Sequence, residues 1–426
     1  MTTHDRPRPT RAGRPPAPPE KLAPTAVVAV RKLFAAETPE FFLLLGTTVF
    51  LVAFGLIMVL SSSSIESRAS DGDFFAQATR QGLFALIGLP LMLLASRAPL
   101  SFWRRWAWHA IGLGLVLQLL VFTGLGWGNG YNTNWLRIGS FTLQPSEFIK
   151  LALVVWLAWV LTTKSHLLHD WKHVALPIFP VAGLAVFLVL LGNDLGTAAI
   201  LVAIVLGALF FAGVRVRVIL AALAAIALPA WLAISMSESR SGRFEAWLSG
   251  CDPDRLSAIL YETHCWQSVN GWEALAHGGI LGVGLGGSSA KWSWLPEADN
   301  DFIFAVIGEE LGMLGAILVL VLFAVLTVCF IRIIRMVRAP FAKIATSVAM
   351  VWIVGQALVN IGVVLGVLPV LGVPLPLVSA GGSALVTSLV AIGIVLSFAR
   401  HRPHSLADDI PVAGSPRVTR SSRIVR

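Results

Sequence analysis

The sequence predicts an all-α polytopic membrane protein, a bundle of ten transmembrane helices with a large extracellular loop between the seventh and the eighth. Three observations predict it. Charged residues make up only 13% of the 426 residues and hydrophobic ones 56%, with a mean hydropathy of +0.78. Soluble domains carry about 25% charged residues. The apolar runs are continuous and near the roughly 20 residues that a helical crossing needs, without the period-two alternation of a β-barrel. Lys and Arg gather in every second connection between those runs, as cytoplasmic loops do.

The elements follow in order. Residues 1–39 are rich in Pro, Arg and Ala and have no apolar core near the start. They read as a disordered basic cytoplasmic tail and not as a signal peptide. Ten apolar runs lie near 40–61, 80–97, 102–124, 146–163, 173–192, 194–213, 216–236, 303–331, 344–368 and 382–399. Backbone polar groups in lipid must be satisfied within the segment, so each run is read as a helix. The tail carries Arg6, Arg8, Arg11, Arg14, Arg31 and Lys32. The later basic connections hold Arg97, Arg104 and Arg105; Lys164 and Lys172; Arg215 and Arg217; Arg332, Arg335, Arg338 and Lys343; and Arg400 and Arg402. With ten spans all of them fall on one side, which makes that side and both termini cytoplasmic. Residues 401–426 form a second disordered basic tail. The net charge of +9 comes largely from the tails and short loops. Attraction to anionic headgroups accounts for it with fewer assumptions than nucleic-acid binding, and no nucleic-acid partner is expected.

The opposite face holds loops near 62–79, 125–145, 237–302 and 369–381, of which only 237–302 is large. It contains Trp247, Trp266, Trp272, Trp292 and Trp294 and a glycine series from Gly278 to Gly287. Tryptophan favours the membrane–water interface, so this loop is expected to fold back along the outer headgroup layer. Cys251 and Cys265 both lie in it. An oxidising exterior permits a disulfide there, with a stabilisation of about 3 kcal/mol from loop-closure entropy. Cys329 lies deep in a span and reads as packing. The "GVGLGG" at 282–287 imitates a dinucleotide fingerprint, but no strand is predicted before it and no βαβ unit after it.

Four polar stretches meet on the outer face: "NWLRIGSFTLQPSEFIK" (134–150), "NDLGT" (193–197), the region from "GVGLGGSSAKWSWLP" into "EADNDFIF", and "GVPLPLVSAGGSA" (372–384). Their convergence is what one outward-facing cavity requires. Arg137 and Lys291 read either as snorkelling interfacial cations or as ligands of a phosphate or pyrophosphate; Arg243 is a third candidate. Glu147 and Lys150 are spaced to pair on one helical face, and Glu147 with Ser146 is placed to cap that helix. At least one of Glu309 and Glu310 is expected to face the bundle interior. Gln356 and Asn360, four apart, are expected to bond between helices or line the cavity. Asp301 has two readings. It is a helix N-cap, a role Asn300 fits equally, or it is a general base whose pKa an apolar wall raises.

These stretches resemble the SEDS (shape, elongation, division and sporulation) membrane proteins, and within them the FtsW-type cell-division branch. The resemblance covers about residues 40–400, with "CWQSVNG" and "KWSWLPE" similar to actinobacterial members. It implies a ten-span fold and the polymerisation of lipid II into peptidoglycan glycan strands, beside a class B penicillin-binding transpeptidase and other divisome membrane proteins. It also implies a plasma-membrane location at the division septum. The family's essential aspartate corresponds to Asp301.

The departures are local. Asp299 stands where the family more often has His. The Q-P-D-L-G pattern reads Gly192-Asn193-Asp194-Leu195-Gly196, and S-Y-G-G-S reads Ser379-Ala380-Gly381-Gly382-Ser383. Asp299 is read either as raising the pKa of Asp301 or as helping to hold a divalent cation, magnesium or manganese. The expected activity is an inverting glycosyl transfer on lipid II and undecaprenyl-pyrophosphate-linked glycan, with Asp301 as base. Arg137, Lys291, Arg243, Glu297, Gln144 and Ser379 are expected substrate contacts, while Asp194 joins Glu147, Lys150, Glu309, Glu310, Gln356 and Asn360 as structural or cavity-lining groups. A lipid II flippase and a non-catalytic divisome scaffold are the alternatives. A transporter needs polar groups continuing to the cytoplasmic side, where the loops here are short and simply basic.

Overall fold

The computed structural model describes residues 37–400, apart from Gly72, Gly130, Tyr131, Ser140, His169, Asp170, Met236, Ser237, Pro253, Arg255, Ser293 and Trp294. The two basic tails expected from the sequence lie outside the described residues.

The chain is mostly helical. Its long helices are α1 (Pro39–Asp71), α2 (Ala76–Ala95), α3 (Leu100–Leu120), α4 (Pro145–Thr163), α5 (Trp171–Leu191), α6 (Leu195–Phe211) and α7 (Val216–Ser235). The segment after α7 then adds α8 (Glu238–Leu248) and α9 (Trp266–Gly278). It is followed by α10 (Ile303–Met336), α11 (Pro340–Val364) and α12 (Gly382–Ala399). Six of these, α1, α2, α4, α10, α11 and α12, are long and apolar enough to cross a membrane by length and composition. Pro145 and Pro340 open α4 and α11 at the first turn, where no N–H is needed. Asp194 caps α6 by accepting from the Thr197 N–H at 2.8 Å.

The bundle has a buried centre and an apolar rim. Along α4 nearly every residue from Pro145 to Leu161 is buried, and α12 is buried over most of its length. Trp156 and Trp352 sit in that centre at 0% exposure. Leu86, Phe210, Trp231 and Val321 instead point outward, as side chains facing lipid do. Lipid tails are as apolar as leucine, so what holds the helices is close packing and interhelical hydrogen bonds. Helix α4 packs on α3 and α11, α12 on α2, and α10 on α1, α9 and α11.

Two features depart from the all-α expectation. The segment near 125–145 is a three-stranded antiparallel sheet, β1 (Gly126–Asn129), β2 (Asn132–Ile138) and β3 (Phe141–Leu143), with β2 in the middle. Trp127 pairs with Trp135 across it, and cross-strand aromatic pairs stabilise such short sheets by roughly 0.2–1 kcal/mol each. Helix α10 is also broken at Gly312 (φ 67°, ψ −164°). There the glycine loop lies so close that a Cβ on Gly312 would stand 2.4 Å from the Gly282 nitrogen. The Met313 N–H leaves the helical ladder and donates to Gly279 O at 2.9 Å, which is a sufficient cause for a kink.

The expected disulfide forms: Cys251 and Cys265 are bonded, 14 positions apart with Cα atoms 5.5 Å apart. Cys329 is free and buried in α10, as packing requires.

Candidate active site

Asp301 lies two residues before α10, and neither it nor Asn300 caps the helix. The N-cap is Phe302, with no side-chain cap bond. The Asn300 amide turns back to donate to Glu297 Oε2 at 3.2 Å. The Asp301 Oδ1 is buried without a hydrogen-bond partner. The capping reading therefore fails, and the carboxyl is left over for something else. A buried unpaired acceptor costs about 1–3 kcal/mol, so its retention needs a reason.

The backbone around it is fixed from two sides. Asn360 Nδ2, from α11, donates to Asp301 O at 2.7 Å and to Val373 O at 2.8 Å. Ser379 Oγ donates to Asn300 O at 2.7 Å and accepts from the Leu375 N–H at 2.7 Å. The Ala380 N–H donates to Asp299 O at 2.8 Å. Segment 372–380 thus clasps residues 299–301. Gln81, from α2, holds the far end of the clasp, donating to Ser379 O and accepting from the Gly381 N–H. Gln77 Nε2 donates to Asp299 Oδ2 at 3.2 Å. Neither glutamine was singled out from the sequence, where they sit on an otherwise ordinary amphipathic turn.

Burial pushes the Asp301 carboxyl up to about 8, aided by the negative charges of Glu297, Asp194 and Asp299 and opposed by Arg243. Asp299 contributes least of these, so the like-charge effect expected of it belongs more to Glu297 and Asp194. A carboxyl near 8 is poised to exchange a proton close to neutral pH. Asp194 is itself steadied by Gln144 Nε2 at 3.1 Å. Beside it, Asn134 Nδ2 donates to Gly192 O at 2.6 Å, tying the sheet to the start of α6.

The other predicted residues fall into two internal networks. In α4, Glu147 and Lys150 pair at 2.7 Å, both fully buried. Lys150 also donates to Gln356 Oε1 at 2.9 Å, as does Trp352 Nε1 at 3.1 Å, and Gln356 Nε2 donates to Pro374 O at 2.9 Å. The expected cap by Ser146 and Glu147 does not form: Gln144 is the N-cap without a side-chain bond, and Ser146 Oγ has no partner. Glu147 is drawn inward by Lys150 instead.

The second network binds α10 to the glycine loop. Glu309 accepts from Ser289 N and Oγ at 3.0 and 2.7 Å, from Ser288 Oγ, and lies 3.0 Å from His277 Nδ1. Glu310 accepts from Ser61 Oγ of α1 at 2.7 Å and lies 3.6 Å from Lys291 Nζ. Lys291 also donates to Gly286 O and is 7% exposed. It therefore neither snorkels nor offers an open ammonium. Ser379 and Gln144 are likewise engaged within the chain, as clasp and as partner of Asp194.

Of the three cations predicted to meet a phosphate, two remain exposed. Arg137 lies on β2 with its guanidinium 5.8 Å from the Trp127 ring centroid. Arg243, on α8, acts electrostatically on Asp301. No group of three or more His, Cys, Asp or Glu side chains converges on a metal position among the described residues. A divalent cation would then lean on one or two carboxylates and on substrate oxygens, a mode magnesium tolerates.

The chain matches known proteins over most of its length. A family described as cell cycle proteins, covering FtsW, RodA and SpoVE, matches residues 42–404. The probable peptidoglycan glycosyltransferase FtsW of Mycobacterium tuberculosis is 37% identical over 369 residues, 86% of this chain and 69% of that one. The stage V sporulation protein E of Bacillus subtilis is 33% identical, over 86% and 98% of the two chains. Among solved structures, a chain from a peptidoglycan synthase complex that coordinates polymerization and crosslinking superposes with a TM-score of 0.66. It is 27% identical, covering 83% of this chain and 96% of that one. The rod shape determining protein RodA of Thermus thermophilus superposes at 0.63 with 24% identity, over 87% and 99%, and shares the fold.

Proposed function

This chain belongs to the FtsW, RodA and SpoVE family of cell cycle proteins, and from that membership we propose that it is a peptidoglycan glycosyltransferase of the cell-division branch. It polymerises lipid II at the outer face of the plasma membrane. The single observation that carries the site assignment is Asp301: a carboxyl near 8 with an unpartnered oxygen, in a backbone held rigid from α11 and from segment 372–380. Asp301 takes the proton from the acceptor sugar's 4-hydroxyl. That oxygen forms its bond to C1 of the lipid-linked donor with inversion, and the bond from C1 to the pyrophosphate oxygen breaks. Arg243 and Arg137 are exposed cations that can meet the departing pyrophosphate, and charge stabilisation of that kind is usually a large part of the acceleration. Glu297 supports the base by raising its proton affinity. Magnesium or manganese would add charge neutralisation at the phosphates.

The membrane domain spans about residues 40–400 in this reading, with ten crossings, α1 to α7 and α10 to α12. An even number leaves every basic connection and both termini in the cytoplasm, and puts α8, α9 and the glycine loop outside. A class B penicillin-binding transpeptidase and other divisome proteins are its partners, at the septum. A non-catalytic scaffold has no use for a fixed, unpaired carboxyl with a near-neutral pKa, and a flippase, which could use one as a proton relay, is not what the peptidoglycan glycosyltransferase relatives are named for.

The experiment is lipid II polymerisation by the purified protein with its transpeptidase partner, wild type against Asp301→Asn. A loss of about 10²–10⁴-fold is expected for removing a general base. Wild-type rates in the variant would refute the assignment.

A further inference from the structure

A small cavity opens between α8, α9 and residues 366–370, with a volume of about 40 Å³. Three polar side chains line it: Arg243, His264 and Ser268. Among the described residues none of the three has a hydrogen bond or ion pair. Ser268 is only 8% exposed, and Trp272 Nε1 in the same lining is a buried donor left without a partner, which native structures rarely tolerate without a ligand or water. The walls are Trp247, Trp272 and the Cys251 end of the disulfide. The arrangement depends on Gly242, where a Cβ would stand 2.5 Å from the His264 ring. Glycine there lets the imidazole pack onto α8 one residue from Arg243.

The chemistry of the lining selects a ligand. Burial and the neighbouring Arg243 lower the proton affinity of His264, so the site offers one full positive charge, one neutral imidazole and one hydroxyl. No carboxylate lines it. At roughly 10–15 Å³ per water-sized group, it has room for about three such groups, fewer than a sugar ring needs and enough for the three terminal oxygens of a phosphoryl group whose fourth oxygen points out of the cavity. Its position is equally specific. The backbone that forms one wall at Gly366–Val370 continues to Gly372, where an added Cβ would lie 3.4 Å from Asp301 Oδ2. The cavity and the carboxyl are therefore neighbours along one short strap of chain.

We propose that this cavity binds one phosphoryl group, with Arg243 as its forked cationic donor and Ser268 and His264 as its neutral donors. Two sources supply such a group at an outer membrane face: the pyrophosphate of the lipid-linked sugar, which rests on the polymerase reading above, and the headgroup of an anionic phospholipid.

The test uses inorganic pyrophosphate, titrated calorimetrically into the full-length protein in nanodiscs of zwitterionic lipid. Saturable binding is expected, weakened about 10–100-fold in Arg243→Gln and less in Ser268→Ala, with unchanged unfolding temperatures. No saturable binding, or equal binding by all three proteins, overturns the proposal. Two further arms identify the source. Pyrophosphate that raises the apparent KM for lipid II in the wild type, and not in Arg243→Gln, places the donor substrate in the cavity. Displacement of pyrophosphate by phosphatidylglycerol, with the KM unmoved, places a headgroup there. A wild type that binds pyrophosphate yet makes no glycan removes the polymerase reading and keeps the site; glycan synthesis without pyrophosphate binding does the reverse.

Discussion

Asn360 holds Asp301 by the main chain and leaves its carboxyl alone: the amide nitrogen stands 2.7 Å from Asp301 O, while Asp301 Oδ1 has no partner. The same amide reaches Val373 O, so one side chain sets the gap between the acid segment and the clasp. Asn360→Leu is expected to cut kcat about 10²-fold, the cost of misplacing a reacting group by about 1 Å. KM and the pH midpoint stay near wild type, which separates positioning from titration.

The pH profile is the next readout. A base with a pKa of about 8 is active when deprotonated, so the rate should climb with pH through about 8 and level above it. Glu297→Gln removes the largest neighbouring negative charge and should move the midpoint down; Asp299→Asn should move it less. Arg243→Gln removes the one opposing charge and should move it up. Rates between pH 6 and 9.5 check all three signs, and a midpoint that ignores Glu297 would contradict the electrostatic account.

Stability should run against activity at this position. The Asp301 carboxyl is raised from 3.8 to about 8 on folding, so the folded state keeps a proton that the unfolded chain has lost. Wild-type stability therefore falls as pH rises from about 4 to about 8 and is flat beyond. Asp301→Asn does not titrate. It should match the wild type at pH 4 and exceed it above pH 8, by about 5–6 kcal/mol, since each tenfold difference in proton affinity is worth about 1.4 kcal/mol, in thermal unfolding at a series of pH values.

The buried pair in α4 gives a fourth expectation. Lys150→Met leaves Glu147 without its 2.7 Å partner and should destabilise by about 3–5 kcal/mol. Glu147→Gln combined with Lys150→Met should recover most of that, because the penalty lies in the stranded charge. Unfolding of the single and double variants decides it; an unrecovered double variant would put the loss in packing on Trp352.

Reduction of the Cys251–Cys265 bond should loosen the segment of α8 and α9 more than the bundle. A closed loop of this length accounts for about 3 kcal/mol, read as faster hydrogen exchange in α8 and α9 of the Cys251→Ser, Cys265→Ser double variant.

The sequence makes the helices legible because a long apolar run has one structure available to it in lipid. Asp301, Gln356 and Asn360 are legible because ionisable and amide groups among such runs stand out. The sheet at 126–143 is not: strands of three to seven residues carry too little alternation to outweigh a reading as loop, although Trp127 and Trp135 flanking a turn are a signal in hindsight. Gln77 and Gln81 stay hidden because their partners lie more than 200 positions away. Lys291 misleads for the opposite reason. A lone cation beside an interface looks available until the fold brings Glu310 under it.

The break at Gly312 divides the labour of α10. Its 34 residues would reach about 51 Å as one rod, well beyond the ~30 Å of a hydrocarbon layer. The glycine hinge ends the rod early: its first nine residues, 303–311, are fastened to the glycine loop through Glu309 and through Lys291 beside Glu310, and to α1 through Ser61 and Glu310, and only the remainder must fit the bilayer. Tilt in response to a thinner or thicker membrane can then be taken up below the hinge. Asp301, above it, is insulated from lipid thickness, and its pH midpoint should be the same in short-chain and long-chain lipids even where the overall rate is not.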